Sequence, residues 1–172
     1  KLSGGMKQKL ALACTLIYRP RIIFLDEPTT GVDPVSRREF WIILSNLLKE
    51  DITVLISTPY MDEAERFNRI AMLDNGKLLA LDTPNNIKSM MNEIIYEVVC
   101  SPVRKAYQIL KNYSEFEIQI FGDRLNVAAD NHDENDRKIR KILEENSVII
   151  TDIRKISPSL ENAFIHLIKE NN

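Results

Sequence analysis

Residues 21–28 read Arg-Ile-Ile-Phe-Leu-Asp-Glu-Pro, and this stretch decides how the first half of the chain is organised. Its apolar residues do not alternate with polar ones, the pattern of a strand buried on both faces of a parallel sheet. Two adjacent acids, Asp26 and Glu27, close it at the end of the strand where open α/β sheets bind ligands. A carboxylate there can hold Mg²⁺, directly or through water, and its neighbour can orient an attacking water. The plainer alternative is a solvated strand end turned by Pro28, and these eight residues leave both open.

Downstream, Asp33 can cap a helix that has Pro34 at its first position and runs to about Lys49. "ITVLIST" (52–58) reads as a second buried strand, and strand–helix–strand is a right-handed crossover, so the two strands are expected to be parallel. Upstream, "KLSGGMKQKLALACTLI" (1–17) sets Ser3, Gly4 and Gly5 before a helix reaching about Tyr18. Met6, Leu10, Ala13, Cys14 and Ile17 fall at helical spacing there, and Pro20 ends it. Such a helix start suits a phosphate: free N–H groups, a positive dipole end and no side chains in the way. No later stretch looks able to grip the rest of a nucleotide.

"YMDEAERFN" (60–68) is a short helix whose Asp62 to Glu65 read as an acidic first turn. Two strands follow around Asn75-Gly76, a strong hairpin signal, and Thr83-Pro84 opens a helix ending near Met91. After Asn92 the expected order is strand (94–100), helix (103–111), strands (116–121, 124–129), helix (135–145), strand (148–156) and a helix opened by Ser157-Pro158. That βαββαβ order is the ferredoxin-like sandwich with one added helix. The expected fold is therefore α/β over residues 1–92, followed by a small α+β domain over 93–172. Trp41 is expected against the first sheet, His132 in solvent, and His166 at the surface, opposite the apolar face of Leu160, Phe164, Leu167 and Ile168.

With 172 residues, 44% of them hydrophobic, the chain can bury a core, and a net charge of -2 gives no general attraction to nucleic acid or anionic lipid. Arg104, Lys105 and Lys111 are too sparse for a nucleic-acid patch. Cys14 and Cys100 lie in apolar surroundings and read as buried free thiols in a reducing compartment. There is no signal-peptide pattern and no apolar run of about 18 residues, so these residues are not expected to cross a membrane.

"LSGG" before a helix, "IIFLDEP" about twenty residues on, "GVDP" after it, and a later strand ending in "ST" before "YMDEAE" resemble the nucleotide-binding subunits of ABC transporters over roughly residues 1 to 90. The resemblance implies that Leu2, Ser3, Gly4 and Gly5 form the signature motif, with Met6 where Gln is usual. It makes Asp26 the Walker B acid holding Mg²⁺, Glu27 the general base and Asp33 the acid of the D-loop. Two such subunits meet head to tail, so Ser3 and the N–H groups around Gly5 would contact the γ-phosphate of ATP held by the other. The family's P-loop, G-x-x-x-x-G-K-[ST], does not occur in this sequence and lies upstream of the signature in the family. The chain is thus expected to be the C-terminal half of an ABC-type P-loop NTPase domain plus a ferredoxin-like domain, inactive alone. ATP and Mg²⁺ are the implied cofactors. A second nucleotide-binding domain, identical or different, and transmembrane permease subunits are the implied partners, with no nucleic acid. The implied location is the cytoplasmic face of the cell membrane.

"RREFW" (37–41) and residues 60–84 resemble the exporter branch related to daunorubicin-resistance ATPases, whose C-terminal domain ends in a "PSLE-x-x-F" helix; Pro158, Ser159, Leu160, Glu161 and Phe164 match it. One departure stands out. The family has a His after "ST" that contacts the γ-phosphate, and here the residue is Pro59, with neither a side-chain donor nor an N–H. It is either a tolerated substitution or the mark of a degenerate hydrolysis site. The rival readings are a non-transport ABC protein of translation or DNA repair, and a regulatory module that binds a partner without turnover.

Overall fold

The structure is a computed structural model that describes residues 2–130 and 134–171. It is a mixed α/β chain with seven helices and eight strands among the described residues. The chain divides into two compact units, residues 1–63 and 64–172.

The first unit holds α1 (Gly4–Leu16), β1 (Ile22–Asp26), α2 (Pro34–Leu48) and β2 (Thr53–Ser57), and its boundary with the second falls within α3 (Met61–Ala64). β1 and β2 pair in parallel, from Ile22 opposite Thr53 to Asp26 opposite Ser57, as the crossover pattern predicts. Asp33 caps α2 by accepting from the Ser36 N–H at 2.9 Å, and Pro34 occupies the first turn. Leu12, Ile23, Phe40, Leu44 and Leu47 form the core, with Trp41 half-buried against it.

Two expectations fail here. β1 is buried on one face only: Ile23 packs on α1 and α2, while Ile22, Phe24 and, on β2, Leu55 are exposed. An unbroken apolar run permits burial on both sides but does not supply the second cover. In α1 the stripe of Met6, Leu10, Cys14 and Ile17 faces solvent, and the covered side runs through Gly5, Leu12 and the half-buried Leu16. Cys14 is accordingly exposed, and only Cys100 is a buried thiol.

The second unit opens with the antiparallel pair β3 (Ile70–Asp74) and β4 (Lys77–Asp82). Asn75 and Gly76 both take positive φ, 46° and 76°, which a two-residue turn matched to the strand twist requires. α4 (Pro84–Ser89) is capped by Thr83, and β5 (Ile94–Ser101), α5 (Val103–Leu110), β6 (Glu117–Phe121), β7 (Arg124–Ala129), α6 (Asn135–Glu145), β8 (Ile149–Ile156) and α7 (Leu160–Glu170) follow. The four strands lie in the order β6-β7-β5-β8, every pair antiparallel. Tyr96, Val98, Leu110, Leu125, Val127, Ile139 and Leu143 are its buried centre, drawn from the sheet, α5 and α6.

α7 starts later than Ser157-Pro158 suggests. Ser159 caps it, because its hydroxyl accepts from the Asn162 N–H at 3.2 Å while the Asn162 carbonyl oxygen accepts from the Ser159 N–H at 3.0 Å, a reciprocal cap that Ser157 cannot make. His166 is not a surface residue: its side chain is 18% exposed and lies among acids. His132 lies outside the described residues. No helix among the described residues is long and apolar enough to cross a membrane.

Candidate functional site

The carboxyl end of β1 carries the two acids. The parallel register sets Asp26 beside Ser57, whose hydroxyl donates to Asp26 Oδ1. Glu27 takes the left-handed conformation, with φ of 41°. For a residue with a Cβ that region costs roughly 1–2 kcal/mol. The Glu27 N–H offsets this by donating to the Ser57 carbonyl at 3.0 Å and to Ser57 Oγ at 3.2 Å. Glu27 Oε2 accepts from Thr30 Oγ1 at 3.1 Å, and both acids are exposed. An unfavourable backbone conformation held by a neighbouring strand is a feature of functional sites.

Ser3, Gly4 and Gly5 meet a different partner. Ser3 caps α1, its Oγ accepting from Met6 N at 3.2 Å and its carbonyl from Lys7 N at 3.0 Å. The N–H groups of Gly4 and Gly5, in the first turn, have no carbonyl within the helix to bond. A Cβ on Gly4 would stand 3.3 Å from the Gly31 carbonyl oxygen, and one on Gly5 would stand 2.3 Å from Ser36 Cβ. The start of α1 therefore rests on the Gly31–Ser36 segment that contains Asp33. The Ser36 backbone N–H, and then its hydroxyl, hold the exposed Asp33 carboxyl below its usual range. Leu2, just before the cap, is exposed.

Pro59 is exposed and follows two hydroxyl-bearing residues, Ser57 and Thr58. Both are engaged. Ser57 Oγ donates to Asp26, and Thr58 Oγ1 donates to Glu63 Oε2 at 2.8 Å while accepting from Tyr60 N at 3.1 Å. A hydroxyl carries one hydrogen, so neither has a second to donate in this arrangement.

The sequence reading missed Glu63. Its side chain is 1% exposed and receives three donors: Thr29 Oγ1 at 2.7 Å, Arg37 Nε at 2.7 Å and Thr58 Oγ1 at 2.8 Å. Arg37 also lies over the Tyr60 ring, 4.5 Å from its centroid. One buried carboxylate thus ties together the loop after Asp26-Glu27, the first turn of α2 and the segment bearing Pro59. No spacing rule joins positions 29, 37, 58 and 63, and "DEAE" on its own is explained by the helix dipole. A groove of about 230 Å³ runs between α1 and β1, with Gln8 and Thr15 on one wall and Phe24 and Asp26 on the other. Glu27 and Ser3 are not part of its lining.

The sequence profile of the family described as ABC transporter matches residues 1–30, the span that holds Ser3-Gly4-Gly5 and Asp26-Glu27. The chain is similar to ABC transporter ATP-binding proteins. A daunorubicin resistance ATP-binding protein of Streptomyces coeruleorubidus is 33% identical over 173 residues, covering 97% of this chain and 54% of that protein. A probable multidrug ABC transporter ATP-binding protein of Escherichia coli is 51% identical over 89 residues, 52% of this chain and 15% of that protein. A Nod factor export ATP-binding protein of Neorhizobium galegae is 40% identical over 107 residues, 62% of this chain and 29% of that protein. The chain spans about half the length of the daunorubicin and doxorubicin resistance relatives it matches.

Proposed function

We propose that this chain is a part, carrying the signature motif, of an ABC exporter's ATP-binding subunit, which couples MgATP binding and hydrolysis to transport. The observation that carries the reading is the paired strand end: Asp26 and Glu27 presented together, braced by Ser57 of the parallel neighbour. In this reading residues 1–92 contribute to the ATPase domain and residues 93–172 form an accessory domain. The strand order β6-β7-β5-β8 supports a ferredoxin-like assignment for the latter. The relatives' names support export, and the second half-site, the permease partners and a place on the inner face of the membrane follow from the same family.

The donor sets fit the cofactors. Asp26 is an exposed carboxylate suited to a hard, oxygen-seeking cation, and would hold Mg²⁺. MgATP supplies the phosphoanhydride that is cleaved. Glu27, fixed through its backbone by Ser57, would orient and deprotonate the water. Ser3 and the unpaired N–H groups of Gly4 and Gly5 would bind the terminal phosphate carried by a second subunit, where the helix dipole favours negative charge. Pro59, with Ser57 and Thr58 already engaged, favours a site weak in hydrolysis that works beside a competent one.

The test joins this chain to the P-loop half of a daunorubicin-resistance relative and measures MgATP binding and turnover. Glu27→Gln should retain binding and lower turnover by about 10²- to 10⁴-fold. Turnover unchanged by Glu27→Gln would remove Glu27 from the chemistry, and micromolar MgATP binding by the 172-residue chain alone would show that the P-loop half is not needed.

A further inference from the structure

Away from these motifs, three side chains from three elements of the second unit converge. Glu93 precedes β5, Glu117 opens β6 and His166 lies in the middle of α7. One ligand atom from each lies within 4.8 Å of the other two. His166 Nδ1 is 3.7 Å from Glu93 Oε2, and the side chains are 18% and 24% exposed. Glu93 Oε2 and Glu117 Oε1 are shielded from water, and no hydrogen-bond donor meets Glu93 Oε2. Glu117 Oε1 is already paired with Lys169, whose Nζ is 2.7 Å away. A buried carboxylate oxygen without a donor, as at Glu93 Oε2, is costly, and a cation shared with Glu117 and His166 would satisfy it.

We propose that Glu93, Glu117 and His166 form a binding site for a divalent transition metal, zinc by its donor set. Two carboxylates and an imidazole are a mixed O,O,N set. Mg²⁺ and Ca²⁺ prefer oxygen alone, whereas Zn²⁺ accepts nitrogen and oxygen together at about 2.0–2.2 Å. Tetrahedral donors at that distance stand about 3.3 Å apart, a contraction that carboxylate side-chain torsions can supply. Glu170 completes the arrangement from behind: its Oε1 is 3.4 Å from His166 Nε2, so it would accept that N–H and leave Nδ1 for the metal. Lys169 would then pair with the outer face of Glu117. Bound metal would fasten α7 to the starts of β5 and β6.

Isothermal titration of the 172-residue chain with ZnCl₂, and separately with MgCl₂ and CaCl₂, tests this. One equivalent of Zn²⁺ should bind with micromolar or tighter Kd, and neither Mg²⁺ nor Ca²⁺ should compete. His166→Ala and the near-isosteric Glu93→Gln should each weaken Zn²⁺ at least tenfold, and Glu170→Gln should weaken it about tenfold through the lost N–H acceptor. Cys14→Ser and a His132→Ala control should leave the affinity unchanged. Absence of Zn²⁺ binding by the unaltered chain, equal binding of Mg²⁺, or undiminished Zn²⁺ affinity in the His166 and Glu93 variants would overturn the assignment.

Discussion

Gly5→Ala should destabilise the first unit before any nucleotide is added. The new Cβ would stand 2.3 Å from Ser36 Cβ and 2.5 Å from Ser36 Oγ. That is more than an ångström inside ordinary carbon contact, which begins near 3.5 Å. The atoms it meets lie at the base of a side chain, so rotation about χ1 cannot clear the Cβ. Either α1 lifts from α2 or the first turns of both deform. Overpacking of this kind costs about 1–3 kcal/mol, partly offset by a gain of less than about 1 kcal/mol from replacing helical Gly by Ala. A net loss of about 1.5 kcal/mol corresponds to roughly 6–12 °C in Tm for a unit of this size. Trp41 is the chain's single tryptophan and packs on this unit's core, so its fluorescence during thermal or urea unfolding reads the effect. Ser36→Gly removes both atoms in the way, and the Gly5→Ala/Ser36→Gly pair should recover at least half the loss in a double-mutant cycle. Gly5→Ala as stable as the parent, or no recovery in the pair, would refute the packing account and return the glycine to the phosphate alone.

Glu63→Ala should cost about 2–4 kcal/mol by the same fluorescence assay, because it strands Arg37 and two threonine hydroxyls in a buried setting; Glu63→Gln should cost less, and a loss under half a kcal/mol for Ala would sink the network's importance. Glu97, held by Arg154 first and Arg124 second, has its carboxyl below the usual range. A lowered folded value means the stabilisation is full above the unfolded value of about 4.3 and is lost as pH falls through the folded one. Urea midpoints followed by far-UV circular dichroism between pH 6 and 3 should therefore fall more steeply for the parent than for Glu97→Gln; identical profiles would contradict it. In the joined protein, Pro59→His should raise turnover by about tenfold by adding one donor at the phosphate, and only where Glu27 is intact. Unchanged rates with ATP binding preserved would mean that hydrolysis is not limited there.

What the sequence made legible was mostly local. Asp33-Pro34 and Thr83-Pro84 state their caps within a few residues, and Asn75-Gly76 states its turn, because each signal and its consequence lie on the same short piece of backbone. The parallel pairing of β1 and β2 was legible through the handedness of the crossover. Burial was less so. The run in β1 and the stripe in α1 are apolar whether or not a neighbour covers them, and what decides is the close approach at Gly5, which turns α1 onto its Leu12 side. Asp26 and Glu27 were visible as a pair at a strand end; Ser57 as their brace needed the register. Glu63 and His166 owe their surroundings to residues from distant segments, and no periodicity encodes such meetings.

The two-stranded sheet of the first unit has a practical consequence. Among the described residues each of its strands is paired on one side only, and Ile22, Phe24 and Leu55 stand bare on its uncovered face, with Met6, Leu10 and Ile17 bare on α1. Unpaired strand edges beside exposed apolar side chains are templates for intermolecular pairing. A net charge of -2 provides little mutual repulsion to keep molecules apart. Purified at high concentration, the chain should pass into soluble oligomers and then precipitate. Dilution and a small amount of mild detergent should slow this more than lowering the salt, because the attraction is apolar and hydrogen-bonded rather than ionic.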